Sequence, residues 1–272
     1  MRTGAKTFIY NGSGRQQIAF TDPRDGRILV RQGIEAAGDG DWRVETYMLN
    51  QSTGQMEHEE ALDYLASNRY QMDVAGYDEA SGRYYMITDK FSDKAAVYFY
   101  DPQTDEFSSD PVFAHPDFSA TSVILGTDEE NWNEPLGFRY AAATVETYWL
   151  DPEMRSIQEG LEQAFPGQLV DLIDTADERN RILFSTEASD QPPTYYMLVD
   201  KSKVAAIGDS RPWIDESDIG TTELIYYSAR DGLKVPGLLS LPEGYEAETD
   251  GRIPTIILPH GGPWARDYAG WD

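Results

Sequence analysis

The chain contains no cysteine, which excludes disulfides, a thiolate nucleophile and thiolate metal sites. It is also short of lysine: Lys6, Lys90, Lys94, Lys201, Lys203 and Lys234 are the whole set. Against 48 acidic residues stand 22 basic ones, for a formal net charge of −26. Phosphate recognition needs basic patches, so this balance argues against nucleic-acid binding and against docking on anionic lipid. A lysine-poor, acid-rich surface suits salty surroundings, where screening blunts self-repulsion; the simpler reading is a soluble acidic protein. No apolar run reaches the length of a membrane span. Met1 to Lys6 lack the apolar stretch of a signal peptide, so a cytoplasmic location is the expectation.

What is present is apolar and aromatic enough to build a core. The 272 residues are 40% hydrophobic and 12% aromatic, room for one large or two ordinary domains. Seventeen tyrosines against seven methionines favour β-structure. An aromatic strand ending in a polar turn recurs around Tyr47, Tyr98, Tyr148 and Tyr195, at steps of 51, 50 and 47 residues. An acidic turn, an arginine and an apolar strand form a second mark, at Asp22 to Val30, Asp78 to Ile87 and Asp177 to Phe184. Asp-Gly and Ser-Gly are turn signals between strands. Each repeat therefore reads as one antiparallel meander whose apolar faces need neighbours. A period of this length with several strands per unit points to a β-propeller with about four blades visible, either a small four-bladed ring or, the favoured reading, part of a larger one. A β-sandwich with coincidental spacing is the alternative.

One segment departs from the β pattern. Met154, Ile157, Leu161 and Phe165 recur at three- and four-residue steps, predicting a helix from Pro152 to Ala164, closed by Pro166-Gly167. Glu59 to Asn68 is the place for a further helical turn. After Ile214 the spacing changes. Thr222 to Ser228, the turn Ala229 to Gly232, and Leu233 to Leu241 read as a hairpin. The apolar run Ile253 to Leu258 reads as a buried strand and leads into His260-Gly261-Gly262-Pro263. The expected organisation is propeller blades over 1–215 and the opening strands of an α/β-hydrolase domain over 216–272.

The stretches YYSARDGLKVPGLLSLPEGY and IILPHGGPWARDYAGWD resemble the prolyl oligopeptidase family of serine peptidases, in its acylaminoacyl peptidase and dipeptidyl aminopeptidase-like branch. The resemblance implies a β-propeller followed by an α/β-hydrolase domain that cleaves short peptides by acyl transfer, with no cofactor. It implies that His260, Gly261, Gly262 and Pro263 form the oxyanion-hole loop, with the donor amide on Gly262 and His260 shaping the loop. The family's Ser-Asp-His triad follows that loop, and no G-x-S-x-G occurs in the chain. The expectation is a chain cut before its triad and inactive alone, its apolar strand left with unpaired edges that favour aggregation. A self-standing binding propeller with a vestigial tail, or an esterase of the same superfamily, are the alternatives.

The remaining candidates read as structural. His58 and His115 have no second histidine or cysteine at metal-ligand spacing. Asp128-Glu129-Glu130 and Glu57-Glu59-Glu60 read as solvated surface, with a substrate's amino terminus as the alternative. Asp39-Gly40-Asp41 lacks the full ligand spacing of a calcium loop.

Overall fold

A computed structural model describes residues 15–215, 219–262 and 265–271. The chain divides into two compact units, residues 1–126 with 133–140 and residues 127–132 with 141–272. Each is built from antiparallel strands joined to their sequence neighbours.

In the first unit, β1 (Gln16–Thr21), β2 (Ile28–Gly38), β3 (Asp41–Leu49) and β4 (Met56–His58) pair in chain order, and β5 (Tyr64–Leu65) returns to β3. A second meander follows the same order: β6 (Met72–Asp78), β7 (Arg83–Thr88), β8 (Ala96–Asp101) and β9 (Glu106–Phe107). Then β10 (Ala120–Leu125) pairs with β11 (Pro135–Ala141). The expected helical turn between Glu59 and Asn68 is present as two short 3₁₀ turns, Glu60–Leu62 and Ala66–Asn68.

Strand β7 shows why these sheets stack. Its side chains alternate between faces, yet Tyr84 to Thr88 are all buried. Tyr84 and Met86 join Leu29, Val30, Met48, Leu62, Met72 and Tyr100 in one cluster. Tyr85 and Ile87 join Val97, Ala120 and Phe138 in another on the opposite side. The second meander is therefore covered by the first on one face and by β10 and β11 on the other. A strand covered on both faces reads as a continuous apolar run, which Tyr84-Tyr85-Met86-Ile87 is.

One turn recurs. At Asp22, Asn50 and Asp78 the backbone carbonyl accepts from the glycine four residues on, each at 2.8 Å: Gly26, Gly54 and Gly82. In each, the side-chain oxygen also accepts from the amide two residues on, those of Arg24, Ser52 and Ala80. The three glycines have φ of 73°, 70° and 72°, where a Cβ is strained. Asp101 opens a fourth copy by accepting from Gln103 N at 2.8 Å, and there Asp105 adopts φ 56°. Between β2 and β3, Asp39 and Gly40 both have positive φ, as a two-residue hairpin with this twist requires. The Asp39-Gly40-Asp41 run is this hairpin; Asp41 accepts from the Ser67 amide and hydroxyl.

In the second unit β12 (Val145–Trp149) precedes helix α1, which spans Pro152–Ala164 as predicted. Asp151 caps it, accepting from Met154 N at 2.9 Å, and Pro152 occupies the first turn, where it has no amide to lose. Met154 and Leu161 are buried, and Gln158 donates to Val170 O at 2.9 Å. Strands β13 (Leu169–Ala176), β14 (Arg181–Ala188), β15 (Gln191–Val199) and β16 (Lys203–Asp209) form a further meander in chain order. Phe184, Phe165 and Tyr196 pack mutually, with ring centroids 5.0 to 5.7 Å apart. The predicted hairpin is β17 (Thr222–Ser228) with β18 (Lys234–Ser240), a two-stranded sheet by itself. A short helix α2 (Ala247–Asp250) follows.

The expected buried strand over Ile253 to Leu258 is not found. Residues 251–260 have no regular structure, and Ile256, Ile257 and Leu258 are 89%, 87% and 82% exposed. The apolar pattern is that of a strand, but a strand forms only against a ladder partner, and among the described residues nothing pairs with it.

The recurrent turn predicts opposite effects for two exchanges. Asp105→Gly places glycine where the other copies have it and stabilises the chain by about 0.5–1 kcal/mol. Gly82→Ala puts a Cβ at positive φ and destabilises it by about 1–2 kcal/mol. Urea unfolding midpoints measure both, and equal signs would refute the equivalence of the turns.

Candidate functional site

The loop singled out by sequence lies beyond the β17–β18 hairpin. The hairpin turns through Gly232 at φ 86°, with Ala229 N bonded to Leu233 O at 2.8 Å. The chain then passes α2, where Asp250 accepts from Glu246 N at 2.8 Å and the Tyr245 hydroxyl donates to Gly251 O at 2.6 Å.

His260, Gly261 and Gly262 are exposed. Gly262 has φ 68°, a left-handed conformation that glycine adopts without steric cost. A Cβ on Gly261 would meet nothing within 4 Å, which leaves its backbone open to approach. His260 Nδ1 lies 3.2 Å from Gly261 O. Among the described residues, no backbone hydrogen bond takes up the amides of Gly261 or Gly262. Unused donors are what an oxyanion hole requires, although the exposed segment before them shares that property. Pro263 lies outside the described residues.

The segment after the loop is anchored. Arg266 donates through its guanidinium to the carbonyls of Ala141 and Ala142, and Ala269 N bonds Ala143 O at 2.8 Å. Arg266 also lies over the Tyr268 ring, 4.8 Å from its centroid. Glu187 accepts from the Trp271 amide; burial nonetheless pushes its carboxyl above the ordinary range.

The acidic clusters have structural employment. Asp128 pairs with Arg179 at 3.3 Å, and Arg179 reaches Asp151 at 2.8 Å and Glu153 at 3.2 Å. Lys201 closes the network on Glu153. Arg179 is buried and holds φ 63°, the last of three consecutive left-handed residues from Asp177. In the other cluster, Glu57 accepts from Asn50 Nδ2 at 2.9 Å and from the Thr53 hydroxyl at 3.2 Å. Burial raises the Glu59 carboxyl, offset in part by the nearby Tyr100 hydroxyl. Sequence reasoning missed Arg179 as the organiser of this network, because its partners are distant in the chain.

His115 accepts at Nδ1 from the amides of Asp117 and Phe118, both at 3.1 Å, and stacks on Tyr140 at 4.5 Å. This is the structural role expected of it. His58 lies 3.1 Å from Asp63 Oδ2, with Glu45 nearby.

Asp151 gives a pH signature. Burial disfavours its charge, but the Met154 amide and the Arg179 guanidinium outweigh that and hold its carboxyl below the usual range. A depressed carboxyl contributes stability that is complete above its unfolded value of about 3.9 and is lost as pH falls through the folded value. Asp151→Asn keeps a capping oxygen but not the charge. It should cost about 1 kcal/mol at neutral pH, given the partial exposure of the network. Urea unfolding of both chains should show that difference vanishing in acid; a constant difference would remove Asp151 ionisation as its source.

No family model matches the sequence. Dipeptidyl aminopeptidase BIII of Pseudoxanthomonas mexicana is 30% identical over 128 residues, covering 45% of this chain and 18% of that protein. A probable chloroplastic glutamyl endopeptidase of Oryza sativa subsp. japonica is 28% identical over 96 residues, 34% of this chain and 10% of that protein. The chain thus matches only a minor part of these relatives' length. Among solved structures, a puromycin hydrolase superposes with a TM-score of 0.48 at 15% identity, covering 92% of this chain and 37% of the other.

Proposed function

We propose that this chain, a member of the prolyl oligopeptidase family, is part of a serine peptidase that hydrolyses short peptides by acyl transfer. The observation that carries the proposal is the 30% identity to a dipeptidyl aminopeptidase over 128 residues. The successive antiparallel meanders support a reading of residues 1–215 as propeller blades that limit access to small or unfolded substrates. The β17–β18 hairpin and the glycine loop after it support 216–272 as the opening of the hydrolase domain.

On this reading Gly262 supplies an oxyanion donor, Gly261 leaves room for the substrate carbonyl, and His260 and Pro263 shape the turn. The chemistry also requires a nucleophilic serine activated by a histidine, itself oriented by an acid. The 272 residues hold no G-x-S-x-G, so by themselves they hydrolyse no peptide.

The test reads the coding sequence after the Asp272 codon and expresses the longer product. The proposal expects an open frame with a G-x-S-x-G serine that fluorophosphonate labels, and hydrolysis of fluorogenic dipeptide amides. In that product Gly262→Ala, strained at positive φ, displaces the donor and lowers kcat by about 10²-fold with little change in KM. A stop codon at this point, or a longer product that neither labels nor hydrolyses peptides, would overturn it.

A further inference from the structure

Strand register assembles a second cluster in the first unit. β3 and β4 pair Tyr47 with His58, which sets the imidazole beside the tyrosine, stacked at 5.0 Å between centroids. Glu45, two residues before Tyr47, shares that face of β3. Asp63 follows the 3₁₀ turn Glu60–Leu62, and its Oδ1 accepts the Thr46 amide at 3.1 Å. Three segments thus bring His58 Nε2 and one carboxylate oxygen each from Glu45 and Asp63 within 4.8 Å of one another.

We propose that Glu45, His58 and Asp63 bind a divalent transition-metal ion of the zinc class. A tetrahedral zinc bonded at about 2.0–2.1 Å holds its ligand atoms about 3.3 Å apart. Nε2 and Asp63 Oδ2 already lie 3.1 Å apart, so only the longer Glu45 side chain has to close in. The donors are one imidazole and two carboxylates, a set that suits zinc better than calcium or magnesium, which prefer all-oxygen shells.

The carboxylates are also held from behind. The Tyr47 hydroxyl donates to Glu45 Oε2 at 3.0 Å, leaving Oε1 for the ion. The Thr46 amide holds Asp63 Oδ1, and both carboxylate oxygens face Nε2, Oδ1 at 3.2 Å and Oδ2 at 3.1 Å. Outer hydrogen bonds of this kind orient metal ligands. The ion would take the place of the proton that Nε2 shares with Asp63, and the open position would hold water.

The experiment titrates the metal-stripped chain with Co(II) and follows the visible absorption of a nitrogen- and oxygen-bound ion, with Zn(II) calorimetry alongside. Such a band distinguishes the site from diffuse binding to an acidic surface. The proposal expects one saturable equivalent of Co(II), displaced by Zn(II). His58→Ala should abolish the band while circular dichroism shows the fold intact. Tyr47→Phe, which keeps all three ligands, should weaken binding about tenfold or more. Absence of a saturable band, or a band that His58→Ala leaves in place, overturns the proposal and leaves the trio a hydrogen-bonded ion pair. Equal affinity in Tyr47→Phe overturns the role of the outer hydroxyl.

Discussion

The architecture depends on one constraint: a short antiparallel meander is too thin to bury both of its faces alone. Strand β7 makes this visible, because Tyr84 and Met86 enter one apolar cluster and Tyr85 and Ile87 the other. Each meander of the first unit contributes to a neighbour's core as well as its own. Stability is therefore shared between successive sheets rather than confined to one. An architecture of this kind frees its connecting turns from packing duty, and most of the polar chemistry found here sits in those turns.

The same constraint explains how a chain of net charge −26 folds. Many of its acids are bound to backbone amides, and Asp22 and Asp151 pair with an arginine as well. Asp22, Asp78, Asp101 and Asp231 each accept from an amide two residues on, and Asp151 caps α1. An amide donor satisfies a carboxylate without itself needing a counter-ion, so these acids stabilise the turns they open. Where acids do converge on a cation, as around Arg179, the cation is buried and meets three carboxylates.

Local signals were legible in the sequence, and long-range ones were not. Helix α1 was readable to the residue because its apolar spacing, its Pro152 start and its Pro166-Gly167 end all lie within one short segment. The meanders were readable because alternation and the Asx-to-glycine turn recur. The Arg179 network and the Glu45-His58-Asp63 trio were not, since each depends on which residues pairing brings together. His58 looked solitary because its neighbours were sought by spacing, whereas register supplies them through Tyr47. The run Ile253 to Leu258 shows the converse: its pattern is that of a strand, but a pattern does not supply a ladder.

That last point bears on the glycine loop. An oxyanion donor accelerates a reaction because it is already in place and does not reorganise as charge develops. The positive φ of Gly262 fixes the turn locally, and Arg266 ties the segment after it to the carbonyls of Ala141 and Ala142. Among the described residues nothing comparable holds the segment before it, where Ile256 to Leu258 stand exposed. The direction in which the Gly261 and Gly262 amides point is inherited from that preceding segment. Pairing residues 253–258 into a sheet would do two things at once: bury the most exposed large apolar side chains among the described residues, and fix the aim of the loop. On the proposed peptidase reading, the hydrophobic effect and catalytic preorganisation are both served by the same strand pairing.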